Sequence, residues 1–133
     1  MKTILDTGPL VAFLNRADQH HVWTLQALER LSLPLWTCEP VLTEASHLTG
    51  RGREILHMLA DGQIRIGLEL EDQADAVGRL LTRYAGAMDL ADACIVRMSE
   101  LTAKCQVFTT DRRDFRIYRR NGRDVIPLLA PKD

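Results

Sequence analysis

Short apolar runs recur along this chain between longer stretches whose apolar residues fall three and four apart, and that alternation excludes most architectures. Residues 3–5, 33–37, 64–68 and 106–110 read as strands. Between them, residues 10–14 (with Pro9 near the first helical position), 21–33, 40–48, 53–60, 73–84 and 89–103 carry helical spacing. Gly50 and Gly52 end the third of these helices. Residues 125–128 fit a fifth strand at a sheet edge, where Pro127 is tolerated. Strand-helix alternation of this kind predicts an α/β fold, a three-layer α/β/α sandwich around a mainly parallel sheet of four to five strands. At 133 residues the chain fits one domain, 1–133, large enough to bury a core without disulfide or zinc staples.

Charge sharpens the reading. Seventeen Lys and Arg against eighteen Asp and Glu give a formal charge of −1, which removes disorder and a histone-like basic polymer binder from consideration. The total hides an asymmetry: residues 1–111 carry −5 and residues 112–133 carry +4. Six of the seven positive charges in that tailpiece are arginines, a composition suited to a polyanion. Cys38, Cys94 and Cys105 are odd in number and lack C-x-x-C spacing, so neither a disulfide framework nor a zinc site is indicated. Asp6 and Gly8-Pro9 interrupt any signal-like apolar stretch, and no run approaches a membrane span. The expectation is a cytoplasmic protein without a membrane partner.

Open parallel sheets bind ligands beyond the carboxyl ends of their strands. Asp6 follows the first predicted strand and Asp111 the fourth, so the fold reading alone sets both on the same edge. A single aspartate after a strand is commonly a turn residue or helix cap. Here two are joined by Asp89 and Asp92, three apart at a helix start and so on one face. Glu44 borders the apolar stripe of Val41, Ala45 and Leu48. Carboxylates crowded into one cleft repel, and without a cation some would protonate. Oxygen-only ligands favour Mg²⁺ or Mn²⁺ over zinc. The chemistry suited to such a site is phosphoester hydrolysis through metal-activated water.

Four segments carry a resemblance: Ile4-Leu5-Asp6-Thr7-Gly8-Pro9-Leu10, Val41-Leu42-Thr43-Glu44, Met88-Asp89-Leu90-Ala91-Asp92-Ala93 and Thr109-Thr110-Asp111-Arg112-Arg113-Asp114-Phe115. In order and separation they resemble the four acidic motifs of PIN domains over essentially the whole chain, most closely those of small VapC-type toxin ribonucleases. The resemblance implies that Asp6, Glu44 and Asp92 are core metal-binding acids, with Asp111 a more variable fourth. Asp89 matches a subgroup whose helix begins Met-Asp-x-x-Asp; it binds metal, orients water or caps the helix. Thr7 and Thr110 are either hydroxyls that orient a carboxylate or a metal-bound water, or ordinary turn and strand residues. The resemblance further implies Mg²⁺- or Mn²⁺-dependent RNA cleavage, a homodimer and a cognate antitoxin. The alternative is a weakly catalytic or non-catalytic RNA-binding module of the same fold that acts through a partner.

Other motifs fit less well. Asp6-Thr7-Gly8 is also the aspartic-protease tripeptide, but that fold is all-β. A haloacid-dehalogenase phosphatase needs a second acid where Gly8 stands, and a receiver domain needs a lysine after a late strand, whereas Lys104 precedes it. Glu44-Ala45-Ser46-His47 is half of a di-iron pattern without a second copy. His20, His21, His47 and His57 have no ligand-spaced partners. Arg112, Arg113 and Arg116 are either a solvated surface or a seat for RNA phosphates. Trp23, Leu25 and Leu28 suit either a dimer face or the core.

Overall fold

The structure is a computed structural model and describes residues 1–132. In chain order the elements are β1 (Lys2–Leu5), α1 (Thr7–Leu14), α2 (His21–Glu29), β2 (Leu35–Thr37), α3 (Glu39–Thr49), α4 (Gly52–Ala60), β3 (Ile64–Ile66), α5 (Leu70–Arg83), α6 (Leu90–Leu101), β4 (Cys105–Phe108), α7 (Arg112–Ile117), β5 (Arg119–Arg120), β6 (Asp124–Val125) and β7 (Leu128–Leu129). The main sheet has strand order β3-β2-β1-β4-β7, and every pair in it is parallel. The α/β sandwich expected from the alternation is the observed fold, a five-stranded parallel sheet flanked by helices.

Strands buried on both faces should be apolar without alternation, and the second half of β1 is: Ile4 and Leu5 are both almost fully covered. Each strand is short, so the order depends on helices packed over it. α6 is the central one, contacting β1, β4, α3 and α5. Its Ala91, Ala93, Cys94, Ile95, Val96, Met98 and Ser99 are all buried. Small residues at the start of this helix let it approach its neighbours closely. The parallel register brings Leu5 opposite Phe108, so the next residues, Asp6 and Thr109, leave the sheet side by side.

The structure corrects the C-terminal region. The fifth strand is Leu128–Leu129 and pairs with β4, whereas Asp124–Val125 belongs to a separate antiparallel hairpin with Arg119–Arg120. Asn121 and Gly122, at φ 54° and 82°, supply the positive-φ pair of that hairpin's turn, closed by the Arg123 amide donating to the Arg120 carbonyl at 3.3 Å. The segment after Asp111, treated above only as a basic tailpiece, opens with helix α7 packed through Phe115 into the core. One stripe assignment also changes: Leu48 is 62% exposed, and Leu90 at the start of α6 is 45% exposed. Both sit at rims of clefts, where a helix end leaves its apolar face uncovered. Trp23 and Leu28 pack against the core, with the Trp23 ring 5.5 Å from that of Phe108, while Leu25 is 40% exposed. Cys38, Cys94 and Cys105 are buried free thiols. Among the described residues no helix is long and apolar enough to cross a membrane.

Candidate metal centre

A cleft of about 500 Å³ opens beyond the carboxyl edge of the sheet, lined by Asp6, Glu44, Asp89, Asp92 and Asp111 together with Thr7 and Thr110. The five acids singled out in the sequence therefore share one cavity, although up to 105 positions separate them. Asp114 and Asp18 line it too.

Three of the acids stand at helix N-termini, where the macrodipole and unpaired amides favour negative charge. Asp89 caps α6, accepting from the Asp92 amide at 2.8 Å, and Asp111 caps α7, accepting from the Asp114 amide at 3.0 Å. Asp6 occupies the N-cap position of α1 but makes no side-chain cap bond. Its carboxylate is instead held by the Thr109 hydroxyl, which donates to Oδ2 at 2.7 Å. The same hydroxyl oxygen accepts from the Asp111 amide at 2.9 Å, so one threonine fixes both strand-end loops. Asp92 is held by Tyr118, whose hydroxyl lies 2.9 Å from Oδ2 and 3.0 Å from the Ala87 carbonyl. Tyr118 is itself 1% exposed and packed edge-on against Tyr84 and Phe115.

This placement perturbs the acids. Burial pushes the Asp6 carboxyl up to about 6, with the charges of Asp111 and Glu44 adding to it and the Thr109 and Thr7 hydrogen bonds opposing it. Burial likewise raises Asp92 to about 7, helped by the neighbouring charges of Asp89 and Asp6 and opposed by Tyr118. Asp114 is raised by burial and by its hydrogen bond with Asp111. Burial first, and then the Asp92 charge, push the Tyr118 hydroxyl upward, which keeps it a donor.

The residues fit a hard divalent cation. The five acids offer only oxygens, with His20 the one imidazole in the lining, two of the carboxylates are ones whose charge the protein alone does not compensate, and the buried Thr7 hydroxyl makes no hydrogen bond among the described residues. The acids line the cleft without being clustered at ligand spacing: among the described residues no three His, Cys, Asp or Glu already form a metal-holding group. Asp89 and Asp111 each turn one oxygen to a helix amide.

Of the other sequence candidates, Thr110 lines the cleft, but the threonine hydroxyl that holds the Asp6 carboxylate is that of Thr109. Thr110 packs where Gly8 has no side chain; a Cβ on Gly8 would fall 2.0 Å from Thr110 Oγ1, so this glycine sets the distance between the two loops. Arg112, Arg113 and Arg116 are outside the cleft lining. Arg112 donates to the Ala130 and Pro131 carbonyls at 2.7 and 3.1 Å and so ties the C-terminal segment to α7. Arg113 and Arg116 are exposed. Thr109, Tyr118 and Asp114 are the residues that sequence reasoning missed. Thr109 falls inside the run 106–110 read as the fourth strand, and the observed end of β4 at Phe108 is what frees it to face Asp6. Tyr118 had no signal in the sequence.

No curated protein matches this chain. A family model described as the PIN domain matches residues 3–121, a span that contains all five acids and both supporting hydroxyls of Thr109 and Tyr118. The chain belongs to the PIN domain family, whose members are typically metal-dependent nucleases.

Proposed function

We propose that this protein is a Mg²⁺- or Mn²⁺-dependent endoribonuclease that acts as the toxin of a VapBC-type toxin–antitoxin pair. The observation that carries the nuclease part is the meeting of Asp6, Glu44, Asp89, Asp92 and Asp111 in one cleft with two of them raised well above the usual carboxylate range. Asp6, Glu44 and Asp92 would hold the ion, with Asp111 and Asp89 nearby. When bound, it supplies hydroxide from water near neutral pH and screens charge developing on the phosphodiester. Thr109 and Tyr118 keep the Asp6 and Asp92 carboxylates aimed. Cleavage then leaves a 5′-phosphate and a 3′-hydroxyl. The toxin role, the antitoxin and the homodimer rest on the likeness of the four motifs to VapC-type sequences, and the exposed Leu25 is available to such an interface.

The competing reading is an RNA-binding module that works by assembly with a partner. Asp6→Asn and Asp92→Asn separate the two. The nuclease reading expects both variants to fold and bind RNA while losing cleavage by more than the roughly 10–100-fold that removal of a supporting partner costs. Function retained in both variants would favour the binding module.

A further inference from the structure

A second groove, of about 700 Å³, adjoins the acidic cleft and shares Glu44 and Asp89 with it. It runs between the starts of α3 and α6 and the segment leading into α5. Its floor is apolar, with Leu68 and Ala91 buried, and Leu90 stands exposed along one wall. Besides the shared Glu44 and Asp89, its polar lining comes from α3: Glu39, and then Thr43 and His47 one and two turns further on, all three exposed. The volume falls in the range of small-ligand sites, and an apolar bed with a few polar groups is their usual make-up.

We propose that this groove seats the nucleobase adjacent to the phosphodiester held at the acids, and that it takes a base with an exocyclic amino group in preference to uracil. The inference rests on the nuclease reading of the neighbouring cleft. Three carboxylates, Glu39, Glu44 and Asp89, line the groove, so a phosphate is repelled from it while a flat neutral base is not. Carboxylates only accept hydrogen bonds. Adenine, cytosine and guanine offer an amino group to such acceptors, whereas uracil turns two carbonyls and one N–H toward them. The base face would lie on the apolar floor, with His47 positioned as a stacking edge. Because the two cavities share a wall, a strand whose phosphate lies at the acids delivers its next base to this groove. A basic or apolar peptide would need no such continuity.

The test is NMR titration of the ¹⁵N-labelled protein, in Mg²⁺, with phosphorothioate-linked dinucleotides of cytidine and of uridine, alongside an RNA cleavage assay. The expected result is that the cytidine dinucleotide shifts the Thr43, His47 and Leu90 amides and binds at least about fivefold tighter than the uridine one. Glu39→Gln, an exposed substitution whose fold the same spectra verify, should erase that preference, and a preference that survives it would overturn the role of Glu39 in the seat. Shifts confined to the acidic cleft, or equal affinity for both dinucleotides, with cleavage intact would overturn the base seat and leave the nuclease reading standing. Response of the groove to a basic peptide but not to either dinucleotide would overturn it in favour of protein docking. Absence of both cleavage and cleft shifts would overturn the nuclease reading and the base seat with it.

Discussion

The cleft contains two kinds of aspartate. Asp89 and Asp111 each cap a helix, and their negative charge is met by backbone amides that would otherwise lack partners. Asp6 and Asp92 lie deeper, are held by the side-chain hydroxyls of Thr109 and Tyr118, and have carboxyls raised to about 6 and about 7. The capping pair stabilises the fold whatever the protein does. This deeper pair, Asp6 buried and Asp92 half-buried, costs stability in the metal-free chain and makes sense as part of a site that a cation completes. Position in the sequence does not separate them, since Asp6 and Asp111 both follow a strand and both stand at an N-cap position. The difference comes from register: Leu5 opposite Phe108 sets Asp6 against Thr109 and draws its carboxylate inward, away from the helix amides.

The largest effects should come from the deeper pair. Both groups have folded-state pKa values above the ordinary 3.8, so the folded chain binds more protons than the unfolded chain between about pH 4 and 7. Their contribution to stability is full below the unfolded value and is lost as pH rises through about 6 and about 7. For Asp6, a rise from 3.8 to about 6 corresponds to about 3 kcal/mol at about 1.36 kcal/mol per unit. In EDTA, thermal melts should show a Tm lower at about pH 8 than at about pH 5, by on the order of 10 °C. Asp6→Asn should remove much of that difference and stabilise the metal-free protein near pH 8. Mg²⁺ should restore the wild type at the higher pH and do little for the variant.

A smaller effect is expected from the groups that hold the deeper pair. Tyr118→Phe leaves the ring packing in place but takes the donor from Asp92 and the Ala87 carbonyl. Its Mn²⁺ affinity should fall by about 10–100-fold, as should that of Thr109→Val, measured by titration calorimetry. An unchanged affinity in both would show that the hydroxyls serve folding alone.

For the capping pair the prediction is a separation of stability from activity. Asp89→Ser and Asp111→Ser keep a side-chain cap while removing the carboxylate, and chemical denaturation should place each within about 0.5 kcal/mol of wild type. Asp89→Ala and Asp111→Ala should each cost about 1 kcal/mol. Cleavage lost in a serine variant of unchanged stability identifies that aspartate as a metal ligand as well as a cap. The smallest effect belongs to the tail. Arg113→Ala should lower RNA affinity uniformly across sequences and reduce the salt slope by about one, whereas an unchanged slope assigns that arginine to the solvated surface.

Much of this was legible in the chain before any coordinates. Strand-helix alternation was enough to place Asp6 and Asp111 on one edge, because parallel strands carry their carboxyl ends to the same side. The spacing of Asp89 and Asp92 was enough to put both on one face of a helix start. The supporting partners were not legible, since the Tyr118 contact with Asp92 spans 26 residues and depends on how α7 turns after Phe115. The hairpin turn is written in the sequence, since Asn121-Gly122 is a strong turn signal, but the run 125–128 reads as one sheet strand, and of it Leu128 lies in the parallel sheet while Val125 pairs in the hairpin. Arginines in the tail looked like a polyanion seat by composition. Arg112 and Arg120 in fact donate to backbone carbonyls of Ala130, Pro131 and Thr102, contacts that composition cannot reveal.

The central claim is that Asp6 and Asp92 are held ready for a hard cation. Its most direct test is Mn²⁺ binding followed by electron paramagnetic resonance, in wild type and in Asp6→Asn and Asp92→Asn. The account predicts saturable binding by the wild type near neutral pH, competed by Mg²⁺ and weakened at least tenfold in either variant. Binding of equal strength in all three proteins, or none in the wild type, would contradict it.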